Sequence, residues 1–438
     1  MGLYDLLRAR AEAGRPVRVG LIGAGKFGSM FLAQARRTPG LHVLGVADLA
    51  PERARAALAR VGWPPEAYSA RSLAEAFATG ATHVGEDAEA LIRAGGLDVL
   101  VEATGHPAAG LRHAALAIET GRHVVMVNVE ADALAGPVLA ARARQAGLVY
   151  SMAYGDQPAL IAELVDWART AGFEVVAAGK GTKYLPAYHA STPETVWDHY
   201  GFSPEQVASG DFNARMFNSF LDGTKSAIEM AAVANACGLN PPPDGLAFPP
   251  CGADDLAEVL RGQGGGVEVV SSLARDGRPV ARDLRWGVYV VIAAADDYVR
   301  RCFADYGLKT DSSGRYAATY KPYHLIGLEL GVSVASAALR GEATGQARSF
   351  SGDAVAVAKR ALKPGETLDG EGGYTVWGKL IPAARSLAEG ALPIGLAHGV
   401  KLTQPVAAGA LVRWADVEIA DGAAVRLRRE MQALAVQP

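Results

Sequence analysis

Residues 17–28 read Val-Arg-Val-Gly-Leu-Ile-Gly-Ala-Gly-Lys-Phe-Gly, an apolar, partly β-branched run that leads directly into Gly23-x-Gly25-x-x-Gly28. A bare glycine pattern is weak evidence in a chain with 51 glycines. Its surroundings make it specific. A strand precedes it, a helix over about 26–37 follows, and a second strand, Leu41–Ala47, ends in an acid, Asp48, 20 residues after Gly28. Each position then has a physical task. Gly23 makes the tight turn, Gly25 lets the backbone approach a pyrophosphate, and Gly28 lets helix and strand pack closely. The helix N-terminus offers free N–H groups and positive partial charge to phosphate. Asp48 accepts from the ribose hydroxyls of an adenosine. The pattern therefore predicts a dinucleotide-binding βαβ unit with NAD as its cofactor. NADP is the alternative, because Arg53 and Arg55 follow closely and a 2′-phosphate would suit them.

The alternation continues. Leu97–Glu102 and His123–Val127 read as strands, the latter ending in Asn128, then come a helix over 135–146 and a strand at 148–152. Strands alternating with helices predict a parallel sheet covered on both faces, the doubly wound α/β class. Ligands bind such sheets beyond the carboxyl ends of the strands. The cofactor-lining set is thus Gly23, Gly25, Lys26, Phe27, Gly28, Asp48, Ala103, Thr104, Gly105 and Asn128. His106, a loop histidine beside Pro107, is read mainly as a hydrogen-bonded surface residue.

At 438 residues the chain exceeds the roughly 250–300 at which single cores stop growing, so several domains are expected. Past residue 155 the pattern changes to α+β. A helix over 158–171 leads to a strand at 174–178 and a Gly/Lys-rich loop holding Lys180 and Lys183. Residues 185–215 are aromatic and aperiodic, with His189 and His199 read as surface or lid residues. Phe217–Cys237 reads as one helix, residues 267–271 and 285–293 as antiparallel strands, and 324–339 as a strong helix. Beyond 350, short β-rich runs between Pro-Gly turns suggest a small β-clip or barrel. The expected division is 1–154, 155–347 and 348–438.

Composition excludes other classes. The net charge of −3 gives no basic surplus for a nucleic-acid backbone. No apolar run reaches the ~18 residues of a membrane span. Cys237, Cys251 and Cys302 are scattered, which argues against a disulfide framework or a cysteine-rich zinc site and fits a reducing cytoplasm. Glu130 and Asp132 share a strand-end loop and offer two carboxylates to a divalent ion. No tight His/Asp/Glu cluster accompanies them, so no metal ligand is assigned and a metal requirement stays open. The expected partner is a small molecule, with neither nucleic acid nor membrane.

Several stretches resemble a known family: Val99-Leu-Val-Glu-Ala-Thr-Gly105, Asn128-Val-Glu-Ala-Asp132, Tyr154-Gly-Asp-Gln-Pro158, Ala178-Gly-Lys-Gly-Thr-Lys-Tyr184, Phe217-Asn-Ser-Phe-Leu-Asp-Gly-Thr-Lys225 and Pro322-Tyr-His-Leu-Ile-Gly-Leu-Glu-Leu330. They are similar to homoserine dehydrogenase-like oxidoreductases with a C-terminal SAF domain, a family that includes 1-deoxy-D-xylulose 5-phosphate reductoisomerase-like enzymes. The resemblance runs almost end to end. It implies a Rossmann domain, a substrate-binding domain, a SAF-like domain and a homo-oligomer. Two departures separate the chain from homoserine dehydrogenases proper. Val129 stands where they carry a lysine after the asparagine, and Asp222-Gly-Thr-Lys225 has a spacing of three where theirs is four.

Oxidoreduction at a carbinol carbon needs a group that moves the hydroxyl proton and cations or donors that polarise the carbonyl. Lys225, Lys180, Lys183 and Asp222 are the catalytic candidates; Asp222, one turn before Lys225, would orient it or bind a substrate hydroxyl. Asp156, Glu130 and Tyr184 are the substrate-binding candidates. The expected function is NAD(P)-dependent oxidoreduction of a small polyhydroxy substrate, phosphorylated or carboxylated. Two alternatives stand beside it: reductoisomerisation of 1-deoxy-D-xylulose 5-phosphate to 2-C-methyl-D-erythritol 4-phosphate, and a non-catalytic NAD-binding sensor or scaffold.

Overall fold

The computed structural model describes residues 2–209 and 212–436 and divides them into two compact units. The first comprises residues up to Leu160 together with His324–Arg348, and the second comprises Ile161–Tyr323 and the chain from Ser349 onward.

The first unit is built on six parallel strands: β1 (Val17–Ile22), β2 (Leu41–Ala47), β3 (His83–Gly85), β4 (Val99–Glu102), β5 (His123–Met126) and β6 (Tyr150–Met152). Their order is β3-β2-β1-β4-β5-β6. This is the doubly wound α/β arrangement expected from the sequence. The order reverses beside β1, so the turn after Ile22 lies at the switch point where such sheets take their ligands. Val17, Val19 and Leu21 are fully buried, as befits a strand covered on both faces.

The helix expected at 135–146 begins earlier, at Val129. Asn128 caps it, its Oδ1 accepting from the Ala131 amide at 3.1 Å. The expected start coincides with a kink, where Ala135 leaves helical geometry (φ −155°) two residues before Pro137.

The helix expected over 324–339 is found at Gly331–Arg340 and belongs to this first unit. Leu330, Val334 and Ala335 join Val19, Leu21, Phe31, Val99 and Val125 in one core. Ser333 Oγ accepts from the Tyr154 amide at 2.7 Å, and the Met152 amide donates to Gly345 at 2.8 Å.

The second unit has a four-stranded sheet ordered β10-β9-β7-β8, with β7 (Glu174–Thr182), β8 (Gly266–Ser271), β9 (Val288–Ala293) and β10 (Tyr316–Lys321). β8 runs parallel to β7, whereas the sequence suggested an antiparallel strand; β9 is antiparallel. β7 also runs further than expected, through the Gly/Lys stretch. Gly179 and Gly181 fit inside it because neighbouring backbone crowds them. A Cβ on them would lie 1.8 Å from the Glu268 carbonyl oxygen and 2.0 Å from that of Leu284.

Residues 214–237 form two helices, Ala214–Leu221 and Thr224–Cys237. Gly223, at φ +91°, breaks them. The second is buried nearly all round, which its Ala/Met/Val-rich sequence permits. β7 and β8 pack on it, and so do two strands of the C-terminal segment, β11 (Gly352–Ala358) and β13 (Val376–Pro382). β12 (Thr367–Asp369), β14 (His398–Leu402) and β15 (Val417–Glu418) make a small antiparallel sheet. Residues 348–438 were expected as a separate small domain; the chain from Ser349 groups instead with the second unit, and Arg348 with the first.

Candidate functional site

The glycine turn shows three different constraints. Gly23 has φ +95°, and a Cβ there would sit 2.6 Å from the Ala103 carbonyl oxygen. At Gly28 a Cβ would meet the Gly23 carbonyl oxygen at 2.3 Å. Gly25 is different: its φ is −68°, and a Cβ would meet nothing within 4 Å. The fold closes around the first and third glycines but leaves the second facing open space. Gly25 is also the N-cap of the helix Lys26–Ala35 and lacks a side-chain cap. The amides of the first helical turn thus point where an anion fits. Gly25, Lys26, Thr104 and Gly105 are exposed around this turn, and Phe27 is half-buried. These residues fit a dinucleotide pyrophosphate.

Asp48 is 6% exposed at the end of β2. Its Oδ2 accepts from the Ala24 amide at 2.9 Å, and its Oδ1 accepts from the Ala50 amide at 2.9 Å and from Arg53 at 2.8 Å. Burial pushes the carboxyl up, but these donors outweigh it and hold the group below its ordinary range. Arg55 donates to the carbonyls of Tyr68 and Val84, each at 3.4 Å.

Asn128 is 1% exposed and works inside the unit. Its Nδ2 donates to Glu102 Oε2 at 3.0 Å and to the His106 carbonyl at 3.1 Å, which braces the 104–106 turn. Glu102, fully buried, also faces His113 Nδ1 at 3.2 Å. The sequence reading missed this Glu102–His113 pair; a carboxylate ending an apolar strand was the available signal. His106 Nδ1 accepts from the Ala109 amide at 3.3 Å, so this side chain caps the helix Pro107–Glu119. Glu130, Asp132 and Asp156 are buried in the same unit. Asp156 Oδ1 accepts from the Gln157 amide at 2.8 Å.

In the second unit the three lysines occupy distinct settings. Lys180 lies within β7, is 3% exposed, and pairs with buried Glu229 on the helix Thr224–Cys237. Lys225 is half-buried at the start of that helix, one turn before Glu229 and on the same face. Lys183 lies past the end of β7, donates to the His199 carbonyl and stands 5.5 Å from the Tyr200 ring centre. Burial lowers its ammonium pKa, and the Arg285 charge lowers it further. Asp222 is fully buried, but its partner is not Lys225. Its Oδ2 lies 2.7 Å from Lys359 Nζ, and its Oδ1 accepts from the Thr224 amide at 2.9 Å. Lys359 also donates to the carbonyls of Ser191 and Gly373, at 2.7 and 2.8 Å.

Tyr184 and His189 form a defined pair. Tyr184 Oη lies 3.0 Å from His189 Nε2, and His189 Nδ1 lies 2.6 Å from the Asp222 carbonyl. A carbonyl only accepts, so Nδ1 carries the hydrogen and Nε2 presents its lone pair to the phenol. Burial holds the imidazole below its ordinary pKa; the Asp222 carbonyl opposes this, and Lys359 and Lys379 add to it. Tyr184 stacks on Phe248 at 3.9 Å and His189 on Trp377 at 3.8 Å. Phe248 takes a left-handed backbone (φ +49°), held by buried Glu268, which accepts from the amides of Ala247 and Phe248. Sequence reasoning missed Glu229, Phe248, Glu268, Lys359 and Trp377. Most come from segments remote in sequence from the residue they contact; Lys359 lies just past the end of β11 and Trp377 on β13.

Among the described residues no group of three or more His, Cys, Asp and Glu is placed to hold a metal ion, and no helix is long and apolar enough to cross a membrane.

Residues 155–330 match the family model described as oxidoreductase DRL, catalytic domain. No curated protein matches the chain in sequence. Solved structures similar to it include three dehydrogenases. A homoserine dehydrogenase from Thiobacillus denitrificans is 19% identical over 51% of this chain and 49% of that one, with a TM-score of 0.36. A UDP-N-acetylglucosamine 3-dehydrogenase from Acidithiobacillus ferrooxidans is 14% identical over 76% and 92%, with a TM-score of 0.39. A scyllo-inositol dehydrogenase from Lactobacillus casei, solved with NAD(H) and scyllo-inositol, is 14% identical over 42% and 50%, with a TM-score of 0.28. The chain spans about half the length of the first solved structures it matches. Likenesses this distant bear on neither substrate nor mechanism. Residues 155–330 thus resemble an oxidoreductase catalytic domain, and the turn at 23–28 has the geometry of a dinucleotide-binding turn.

Proposed function

We propose that the chain is an NAD-preferring oxidoreductase acting on a small polyhydroxy substrate. The observation that carries this reading is the open space at Gly25, set between two glycines that the fold closes completely. The Asp48 environment supports NAD over NADP. Three donors occupy its carboxylate, which has about four acceptor sites, so one remains for a ribose hydroxyl. The two arginines that would suit a 2′-phosphate are engaged, Arg53 with Asp48 and Arg55 with backbone carbonyls.

A bound nicotinamide supplies or accepts the hydride. The chain's own residues handle the proton and the developing charge on oxygen. We assign these tasks to the Tyr184–His189 pair and to Lys225. The phenol donates to an imidazole whose tautomer is fixed, so a proton leaving Tyr184 Oη has a defined acceptor at Nε2. Lys180 and Asp222 are positioning residues: Lys180 holds Glu229 one turn from Lys225, and Asp222 offers its carbonyl to His189. Asp156, Glu130 and Asn128 serve the first unit's cofactor side, Asn128 by bracing the 104–106 turn. Residues 348–438 are read as a SAF-like domain that supplies Lys359 and Trp377 to the substrate side, and the assembly as a homo-oligomer.

The test is fluorescence titration with NADH and NADPH, followed by turnover with polyols, hydroxy acids and sugar phosphates. NADH binds at least tenfold more tightly than NADPH. Gly25→Val weakens binding at least tenfold without lowering the thermal midpoint, since the added side chain enters open space. Lys225→Ala abolishes turnover but leaves NADH binding intact. Absence of any nicotinamide binding by the wild-type chain overturns the reading. The narrower reductoisomerase reading rests on the motif resemblance at 178–184 and 217–225. It requires NADPH consumption with 1-deoxy-D-xylulose 5-phosphate.

A further inference from the structure

Two cations in the second unit face one aromatic ring, and among the described residues no carboxylate pairs with either. Lys183 Nζ lies 5.5 Å from the Tyr200 ring centre, and the Arg285 guanidinium carbon lies 5.7 Å from it. Both side chains belong to half-buried residues. Among the described residues neither ammonium nor guanidinium has a carboxylate within ion-pair distance. Asp283, two residues before Arg285, spends its Oδ1 on the Arg285 backbone amide. Asp222 is matched by Lys359. Lys183 gives one donor to the His199 carbonyl, which leaves two. Arg285 also lies over Trp286, at 4.8 Å.

The surroundings raise the cost of this arrangement. Tyr188, Trp197, Phe202 and Phe217 wall the region with aromatic rings, and Tyr200 stacks on Phe202 at 5.8 Å. Like charges repel more strongly beside such low-dielectric walls than in water. The same walls strengthen the attraction of any anion that enters. Paired cations without a carboxylate among the described residues depart from balanced electrostatics, and natural proteins make such departures at functional sites.

We infer that Lys183, Arg285 and Tyr200 form an anion-binding subsite for a phosphate monoester. Two fixed positive charges match the dianion better than a single carboxylate, and the guanidinium fork fits two phosphate oxygens at once. This deepens the functional reading above, on which its link to the substrate rests. It moves Lys183 from proton transfer to holding the anionic end of the substrate.

Inorganic phosphate and glycerol 3-phosphate are the probes, titrated calorimetrically at low ionic strength into the full chain. Lys183→Gln and Arg285→Gln each weaken phosphate binding at least tenfold, whereas Arg278→Gln, at an exposed arginine paired with Asp276, leaves it unchanged. Thermal midpoints guard against misfolding. Without phosphate both glutamine variants melt at or above the wild type, because a repulsion has been removed; with phosphate they gain less. The inference is overturned if the two variants bind phosphate as the wild type does, if Arg278→Gln weakens binding as much as they do, or if acetate binds as well as phosphate. NADH titration separates the two readings. Wild-type chain that binds phosphate but no NADH sinks the functional reading and leaves the subsite standing.

Discussion

Asp132 lies wholly buried in the first turn of the helix Val129–Gln145. Its Oδ1 accepts from Tyr150 Oη at 2.9 Å, and its Oδ2 has no hydrogen-bond partner among the described residues. Burial lifts its pKa to about 6, with the tyrosine hydrogen bond pulling the other way. A folded-state pKa above the unfolded value means that the native state binds the extra proton. The stability this gives is fully present below about pH 4 and is lost as pH rises through about 6, up to about 3 kcal/mol. Asp132→Asn keeps the Tyr150 contact and removes the buried charge. The substituted chain melts above the wild type at pH 8, and the gain falls to about half at pH 5 and vanishes below about pH 4. A gain that does not change with pH would show that this carboxyl does not titrate in that window.

The buried pair between β7 and the helix Thr224–Cys237 sets the behaviour of a whole element. Lys180 and Glu229 are each 3% exposed at the side chain. Lys180→Met alone strands the Glu229 carboxylate and costs about 3–5 kcal/mol. Lys180→Met with Glu229→Leu recovers most of that loss, as measured by chemical denaturation of the full chain. Turnover does not return with stability, because the turn beneath Lys225 has lost its polar support. This element also shows where sequence legibility stopped. Five of the six strands and the glycine turn were readable because each carries its own period and stop signal, as from Val17 to Asp48; the three-residue edge strand His83–Gly85 is too short to show one. β7 was cut short at Ala178 because Gly179 and Gly181 look like loop residues. Only the approach of Glu268 and Leu284, some ninety to a hundred residues on, makes glycine necessary there. The break at Gly223 was hidden by apolar spacing that runs on through both helices.

Across the whole molecule, residues 324–348 return to the first unit after the chain has built most of the second. Leu330, Val334 and Ala335 are buried in the core beneath β1, with Ile326, Ala338 and Leu339 packed against it. Each fully buried aliphatic side chain is worth about 1.5–3 kcal/mol, so this segment supplies much of a domain's usual ~5–15 kcal/mol. A 1–160 fragment therefore fails to unfold cooperatively and binds no NADH. The same fragment joined to 324–348 through a Gly/Ser linker regains a cooperative transition by circular dichroism. If the short fragment folds and binds unaided, the returning segment is dispensable. The sequence showed the helix at 324–339 through its period, but not which core it serves, since an amphipathic face specifies burial and not a partner. The catalytic candidates were legible as residue types. Their partners were not: Lys359, just past β11, and Trp377, on β13, reach Asp222 and His189 from a segment whose sequence carries no chemical signature.

The returning segment also fixes an order of manufacture. A chain leaving the ribosome presents all six strands of the dinucleotide unit by residue 152, yet the last pieces of its core emerge only with residues 324–348. At roughly 5–20 residues per second that interval lasts about ten to forty seconds. Throughout it the nascent unit exposes the apolar seat of Leu330 and Val334, while the intervening residues are still being made. Cofactor capture therefore waits for the substrate-side residues to exist, and a chain truncated between 160 and 324 yields no stray nicotinamide-binding fragment.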